Sequence, residues 1–249
     1  MDIDFSTHSG DTRVAAAQNG DVSGLSSALH RGNFMEANPT AVKKVNGLGA
    51  IEEMQMPASW KQFDNSMPQQ RSVVFQRPDN DSTNIGFIER DRPVSASSSA
   101  AFKSIVDPGL STPRVLYSDN QPATAQNTEM FKSIAGALGL TTVGDNQLTS
   151  PATDPDSRQP AFHLSRARVV DVNGKKAIAI DGWYTKMDDH ANVKMTAAGP
   201  DKRYYSGLFF DANGQGTKVD EIYMTAENQA SAVANKDVFS SATKSIKWR

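Results

Sequence analysis

Residues 161–186, AFHLSRARVVDVNGKKAIAIDGWYTK, form two runs in which apolar and polar residues alternate, one on each side of Asn173-Gly174. Alternation with a period of two is typical of strands that bury one face. Asn-Gly favours a type I′ turn, because both central positions of that turn take positive φ. The stretch therefore predicts an antiparallel β-hairpin closed by a two-residue turn.

The next segment repeats this arrangement with a longer turn. Residues 202–225, KRYYSGLFFDANGQGTKVDEIYMT, place Asn213-Gly214 between two further apolar runs. The last third of the chain thus predicts four sequential antiparallel strands. Upstream, RSVVFQR at 71–77 and NIGFIER at 84–90 also predict strands.

Three segments predict helices. Residues 95–107, SASSSAAFKSIVD, begin with capping serines and end before Pro108-Gly109. A second helix is predicted at about 124–138, where apolar residues recur at helical spacing. The third runs from about Asn228 to Ser245, with Phe239 beside an apolar stripe of residues spaced by four. The stripe consists of Ala234, Val238, Ala242 and Ile246.

The chain ends with Ile246 and Trp248, two apolar residues where termini usually fray. We expect the closing helix to lie across the preceding sheet and bury its stripe. Ile246 and Trp248 would then form a short extended edge or plug after the helix ends.

Together these elements predict an α+β fold, an antiparallel sheet of about six or seven strands packed with helices. The domain would span residues 49–249, with a long exposed loop at about 143–160, where Pro and Asp are frequent. Residues 1–48 predict a polar N-terminal arm, partly helical or disordered.

Composition narrows the classes of function. The chain has 26 Lys and Arg against 28 Asp and Glu, a formal net charge of -2, so nucleic acid is not an expected partner. It contains no cysteine, which excludes disulfides and thiolate chemistry. No stretch approaches the roughly 20 apolar residues of a membrane span. A cytoplasmic location is the default expectation, with signal-independent secretion as the alternative.

Sites for metals and catalysis are weakly indicated. Asp188, Asp189 and His190 fall together between two predicted strands and could supply hard ligands or an acid–base group, although such residues also form turns in water. The 211–222 segment resembles a calcium loop, but its twelfth position is Ile222 where the loop needs Glu, so a hairpin turn is favoured.

Sequence motifs give no support to an enzyme. There is no Gly-x-Ser-x-Gly elbow and no phosphate-binding glycine loop. Catalytic groups can converge from distant positions, so the sequence leaves this question open and leans towards a non-enzyme. We expect no cofactor.

Two pairs of neighbouring aromatic residues, Trp183-Tyr184 and Tyr204-Tyr205, lie within predicted strands. Successive strand residues point to opposite faces, so one member of each pair should point away from the core. These four residues are the predicted binding surface for a protein partner. The alternative is that helices or the N-terminal arm cover the second face.

Short motifs carry a resemblance to a known fold family. They are Met56-Pro57-x-x-Trp60, the strand patterns at 177–183, 204–210 and 219–225, and an ending with Phe239 and Ser245-Ile246-Lys247-Trp248. Over about residues 49–249 the chain resembles the PsbP-like fold. That group includes the extrinsic photosystem II protein, a Ran-binding nuclear import factor, and bacterial members with periplasmic or secretion-chaperone roles. The resemblance implies a non-catalytic binding or assembly role.

The leading prediction is a non-enzymatic protein-binding, assembly or adaptor protein, and a protein is the expected partner. The alternatives are a secreted bacterial effector or toxin-related protein with an unrecognised activity, and a small-ligand carrier. Fold alone does not decide between them.

Overall fold

The computed structural model describes residues 41–64, 66, 70–78, 82–91, 93–107, 109–118, 141–142, 147–149, 162–186, 194–197 and 199–249. The strands are β1 (Val42–Leu48), β2 (Ile51–Pro57), β3 (Lys61–Asp64), β4 (Gln70–Gln76), β5 (Asn84–Arg90), β6 (Arg114–Ser118), β7 (Thr141–Thr142), β8 (Gln147–Thr149), β9 (Phe162–Val172), β10 (Lys175–Thr185), β11 (Met195–Thr196), β12 (Gly199–Pro200), β13 (Lys202–Asp211), β14 (Val219–Ala226) and β15 (Lys247–Trp248). The helices are α1 (Ala96–Ile105) and α2 (Gln229–Lys244).

The predicted hairpin is confirmed as β9 and β10. Asn173 has φ 51° and Gly174 has φ 86°, the two positive values that a type I′ turn requires. Asp171 supports the turn, since its Oδ1 accepts a hydrogen bond from the Gly174 backbone N at 2.8 Å. The turn sets the register in which Lys175 lies opposite Val172.

The main sheet contains ten strands in the order β3-β4-β5-β14-β13-β10-β9-β8-β7, and β6 pairs with β9 beside this path. The predicted antiparallel succession β9, β10, β13 and β14 lies at its centre. A second sheet has the order β1-β2-β15, and β11 pairs with β12 in a separate ribbon.

The predicted fold class, an α+β sheet of about six or seven strands packed with helices, is wrong. The described residues are mostly β, with a ten-stranded sheet, a three-stranded sheet and two helices. The missed strands are short or polar. All four residues of β3, for example, are exposed, so hydrophobic alternation could not mark it.

Two strands lie in segments for which no strand was predicted. Residues 42–48, part of the predicted arm, form β1 and pair with β2. β8 lies inside the segment for which a long loop was predicted. Residues 1–40 and the helix predicted at 124–138 lie outside the described residues.

Side chains pack on both faces of the main sheet. On the α2 face, named for the helix that covers it together with β1, β2 and β15, the core includes Phe87, Leu208, Ile222 and Phe239. On the opposite α1 face, Phe102 and Ile105 of α1 pack with residues of β9, β10, β13 and β14. Trp60, from the resemblance motif, is fully buried on the α2 face.

Both described helices match predicted helices, and each is capped by its own sequence. Ser95 Oγ accepts a hydrogen bond from Ser98 N at 3.1 Å at the start of α1. Asn228 Oδ1 accepts from Ser231 N at 2.9 Å at the start of α2. Each cap satisfies one of the backbone donors that a helix start leaves unpaired.

The predicted apolar stripe of α2 is partly wrong, because Ala234 is exposed. The buried positions are Ser231, Asn235, Phe239, Ala242 and Thr243. Four of these positions, 231, 235, 239 and 243, are also spaced by four, one position later than predicted, and three of the four are polar. Apolar residues alone therefore could not mark them. Polar members of the true stripe are tolerated because they are hydrogen-bonded, as Asn235 Nδ2 is to Ser231 O at 2.8 Å.

The predicted extended edge after α2 is confirmed as β15. Ile246 is 1% exposed, and Trp248 is half-buried opposite Ile51 of β2. Trp248 Nε1 donates to Val172 O at 2.7 Å, and its ring meets that of Phe210 edge-on at 4.9 Å. The terminus is therefore a structural element of the core.

The hairpin turn also holds this terminus. Asn173 Nδ2 donates to the carbonyl oxygens of Lys244 at 2.8 Å and Ile246 at 2.7 Å. One side chain thereby joins the β9–β10 turn to the end of α2 and the start of β15.

Among the described residues, no helix has both the length and the apolar character needed to cross a membrane.

Replacing Asn173 by Ala should destabilise the protein strongly. The change removes two hydrogen bonds and places Ala in the left-handed region at φ 51°. We expect the free energy of unfolding, measured by urea denaturation, to fall by about 2–3 kcal/mol.

Asn213→Ala is the matched control, because the exposed Asn213 also makes two side-chain hydrogen bonds, but both stay within its own turn. Its Nδ2 donates to Thr217 Oγ1 at 2.7 Å, and its Oδ1 accepts from Gln215 N at 3.1 Å. Asn213→Ala should lower the free energy of unfolding by less than about 1 kcal/mol. Equal effects of the two substitutions would contradict the role given to Asn173.

Candidate functional site

Three aromatic side chains line up across the end of the α2 face. Trp183 in β10 lies directly opposite Tyr204 in β13 on one side and His163 in β9 on the other. Antiparallel partners point to the same face, so the three side chains are neighbours. Trp183 and His163 stack with ring centroids 4.7 Å apart and planes at 23°. All three are half-buried, and together they form the aromatic strip.

A β-bulge places His163 in this strip. Asp181 pairs with Arg166, but the next residue, Gly182, pairs with Leu164, so Ser165 is the extra residue on β9. Without the bulge, His163 would lie opposite Tyr184 and point to the α1 face. A one-residue shift moves a side chain to the other face of a sheet.

A cation completes the strip. Lys202, two residues before Tyr204 on β13, places its Nζ 4.5 Å from the centroid of the Trp183 ring. This distance lies within the range of a cation–π contact, for which Trp is the best aromatic partner. The strip therefore offers stacked rings and a positive charge on one surface.

A buried ion pair lies next to the strip on the same face. Asp181 accepts a hydrogen bond from Ser206 Oγ at 2.8 Å, and an Arg168 guanidinium nitrogen lies 3.3 Å from its other oxygen. Burial raises the pKa of Asp181, although Arg168 and Ser206 oppose the shift. These partners fix the β9–β10–β13 backbone beneath the aromatic rings.

An exposed methionine lies at the same end of the sheet. The chain between β10 and β13 includes the β11–β12 ribbon, tied back where Lys194 N donates to Lys186 O at 2.8 Å. Lys186 forms an ion pair with Asp201 at 3.2 Å and a second with Glu227. On this ribbon Met195 is 64% exposed. A flexible apolar side chain near aromatic rings is a common feature of protein-binding surfaces.

The other predicted aromatics form a separate cluster on the α1 face. Tyr205 stacks on Tyr223 at 5.9 Å and meets Tyr184 edge-on at 5.8 Å. Their rings lie flat on the sheet because of two glycines. A Cβ at Gly207 would come within 2.3 Å of Tyr205 Oη, and one at Gly86 within 2.3 Å of Tyr223 Cζ.

A carboxylate holds this tyrosine cluster together. Tyr205 Oη donates to Glu221, which also pairs with Arg90. Burial raises the pKa of Tyr205 well above its ordinary value, and the Glu221 charge adds to this effect. The Tyr205 hydroxyl therefore stays protonated as a donor, which suits a structural network better than a catalytic base.

The structure thus divides the predicted binding residues between two faces. Trp183 and Tyr204 lie in the aromatic strip, whereas Tyr184 and Tyr205 lie in the tyrosine cluster. Their role in binding a partner stays a prediction.

The candidate metal ligands Asp188, Asp189 and His190 lie outside the described residues. Within the part of the chain that is described, no group of three or more His, Asp or Glu side chains is arranged to hold a metal ion. The 211–216 segment is a hairpin turn, and Asp211 accepts from the backbone N of Asn213 at 3.1 Å and of Gly216 at 2.7 Å.

Sequence reasoning missed His163 and Lys202 as members of the strip. Lys202 could have been found from the hairpin register, since it is two residues from Tyr204. His163 could not, because its position depends on the bulge at Ser165.

Comparisons with known proteins give only distant likenesses. No family model matches the sequence, and no curated protein is significantly similar to it. Among solved structures, the Ran-binding protein Mog1p of Saccharomyces cerevisiae has a TM-score of 0.39 at 10% identity, covering 83% of this chain and 95% of its own. A mutant of Mog1 has 0.37 at 10% identity, covering 84% and 96%.

LpqN, a protein involved in cell envelope biogenesis of Mycobacterium tuberculosis, has a TM-score of 0.35 at 10% identity, covering 83% of this chain and 89% of its own. Mog1p and LpqN are likenesses of fold only. With TM-scores below 0.5, they do not assign the chain to a family or a function.

One buried carboxyl lies at the opposite end of the α2 face. Asp220 is fully buried, its Oδ1 accepts from Arg90 N at 3.1 Å, and its Oδ2 has no hydrogen-bond partner among the described residues. The β1–β2 turn packs onto it, since a Cβ at Gly49 would lie 2.9 Å from Oδ2. Burial raises the pKa of Asp220 to about 6; Glu89 adds to the shift, while the Arg90 N–H and Lys218 oppose it.

Asp220 should make stability depend on pH. The folded protein keeps this proton up to a pH of about 6, whereas the unfolded chain releases it at about 3.9. The folded state then binds more protons in this window, so stability falls as the pH rises from about 4 to about 6. Asp220→Asn should remove this fall and be more stable than the unmodified chain by about 2 kcal/mol at pH 7.5, but not at pH 4.

Urea denaturation at a series of pH values measures this difference. The exposed Asp237→Asn on α2 is the control and should follow the unmodified chain throughout. If Asp220→Asn were less stable at pH 7.5, the carboxylate would be stabilising and our account of it would be wrong.

Proposed function

We propose that this chain is a non-enzymatic protein-binding protein that docks a partner on the aromatic strip of His163, Trp183 and Tyr204. The carrying observation is a row of half-buried rings across β9, β10 and β13 at one end of the sheet, in which Trp183 stacks on His163 and lies opposite Tyr204. Large aromatic side chains of this kind supply most of the binding energy at protein interfaces.

Neighbouring features support a protein partner. Met195, 64% exposed on the β11–β12 ribbon, adds an apolar side chain at the same end of the sheet as the strip. Lys202 adds a charge at the strip itself, as at the polar rim of an interface. The ion pair of Arg168 with Asp181, next to the strip on the same face, holds the surface rigid and so lowers the entropy lost on binding.

The rest of the described molecule favours binding over catalysis. On the α1 face, Glu221 and Arg90 form an ion pair, and Glu221 also accepts a hydrogen bond from Tyr205, so both charges serve the tyrosine cluster. Mog1p is a Ran-binding protein, but at a TM-score of 0.39 its likeness to this chain supports no shared role.

Removing the strip should abolish partner capture. The unmodified chain should retain a partner protein from a lysate of the native host. We expect this partner to be lost when Trp183 and Tyr204 are both changed to Ala. Loss of two aromatic anchors costs at least about 2 kcal/mol, or more than roughly tenfold in affinity. Quantitative mass spectrometry of the retained proteins measures the effect, and circular dichroism checks that the variant is folded.

Phe63→Ala is the matched control, because Phe63 is also an aromatic residue on a strand of the main sheet and is 43% exposed. The same partner should be retained by this variant. If the partner were lost with Phe63→Ala but retained by the double variant, the binding surface would lie at β3 and the proposal would be wrong.

A further inference from the structure

The β1–β2 turn, Gly49-Ala50, packs directly onto the buried carboxyl of Asp220. A Cβ added to Gly49 would lie 2.9 Å from Asp220 Oδ2 and 3.0 Å from Phe87 Cζ. Gly49 also has φ 53°, a region in which a side chain is strained. Asp220 Oδ2 is buried at this contact and has no hydrogen-bond partner among the described residues. The backbone of the turn therefore keeps water away from one oxygen of a carboxyl group.

Polar contacts on β4 and β5 hold the same turn against the main sheet. Arg71 Nη1 donates to Gly47 O at 2.8 Å and lies 3.9 Å from Glu89 Oε2. Lys218 Nζ lies 2.9 Å from the other carboxylate oxygen of Glu89. Glu89 Cδ is also 3.3 Å from the place that a Cβ of Gly49 would take. A second carboxylate therefore lies close to the point where the turn meets the main sheet.

The closed turn suits a neutral Asp220 better than an ionised one. In the ionised form Oδ1 keeps its hydrogen bond from Arg90 N at 3.1 Å, but Oδ2 carries charge with neither a donor nor water beside it. A buried charge without a partner is unfavourable, and the negative charge of Glu89 adds to the cost. Burial, and after it Glu89, accordingly raises the pKa of Asp220 to about 6.

The cations near Asp220 do not remove this cost. The charged residues around Asp220 and the turn are Arg71, Glu89, Arg90, Lys218 and Arg249. Lys218 opposes the raised pKa of Asp220, but its Nζ is bound to Glu89. The Arg90 guanidinium pairs with Glu221 on the α1 face. The turn itself contributes no ionisable side chain.

We propose that the β1–β2 turn is a proton-controlled latch, closed over the neutral carboxyl of Asp220 and opened locally when that carboxyl loses its proton. Opening admits water to Oδ2 and so stabilises its charge. It also frees Ala50 O, which accepts a hydrogen bond from Arg249 N at 3.0 Å. The latch therefore makes the hold on the chain end depend on pH. It lies at the opposite end of the α2 face from the aromatic strip and is independent of the proposed function.

Hydrogen exchange of the full ¹⁵N-labelled chain tests the latch at single amides. The reporters are the amides of Ile51, which closes the turn, and Arg249, which donates to it. The opening equilibrium constant should rise about tenfold from about pH 5 to pH 7.5, because the pKa is about 6 in the closed state and about 3.9 once exposed. After correction for intrinsic exchange rates, we expect protection of both reporters to fall at least about fivefold.

Two measurements separate local opening from unfolding of the whole chain. Lys194 N, which donates to Lys186 O at 2.8 Å at the other end of the sheet, is the reference amide, and its protection should change less than about twofold. Addition of about 0.5 to 1 M urea should leave the exchange of the reporters nearly unchanged, because a local opening exposes little surface.

Isosteric substitutions assign the effect to one proton. Asp220→Asn should abolish the pH dependence of both reporters, whereas Asp237→Asn, exposed on α2, should keep it. If Asp220→Asn does not fold, Glu89→Gln decides, since loss of the neighbouring charge should reduce the fall in protection to less than about threefold. Constant protection of the reporters across this pH range, an equal fall in Asp220→Asn, or reporter exchange that follows global unfolding in urea would overturn the latch. None of these results bears on partner capture by the aromatic strip.

Discussion

The two-residue turn at Asn173-Gly174 is the constraint on which the rest of the structure depends. Its positive φ values close the β9–β10 hairpin and fix the register of the two central strands. The Asn173 side chain also binds the carbonyl oxygens of Lys244 and Ile246. Because β15 then pairs with β2, one turn connects the centre of the main sheet to the second sheet and the end of the chain.

The same register decides what the surface presents. It places Trp183 opposite Tyr204 on the α2 face and leaves Tyr184 and Tyr205 on the other face. There Tyr205 donates to Glu221, which pairs with Arg90, and the ring of Tyr184 meets that of Tyr205 edge-on. The bulge at Ser165 then brings His163 to Trp183. The candidate site is therefore a product of strand register and one local irregularity, and no sequence motif marks it.

Local chemistry explains which features were predictable. The Asn173-Gly174 turn, the capping serine of α1, the approximate start of α2 at Asn228 and the central strands depend on residues close in sequence, and they were found. Short polar strands such as β3 are stabilised by pairing with a neighbouring strand. Their own residues therefore show no alternation of apolar and polar side chains that would predict a strand. Asn235 of α2 can be buried because its side chain forms hydrogen bonds with Arg77 and Thr83, which are distant in sequence. Hydrophobic periodicity therefore could not identify the true stripe.

Site-specific crosslinking tests the central claim, that a protein partner docks at the Trp183 end of the sheet. The chain contains no cysteine, so a single introduced cysteine can carry a photo-reactive label. Met195→Cys places the label at the same end of the sheet as the aromatic strip, and Phe63→Cys places it on the edge strand β3. Both native side chains are exposed, at 64% and 43%. We expect a covalent adduct with the captured partner from position 195 and none from position 63. An adduct from position 63 alone would contradict it.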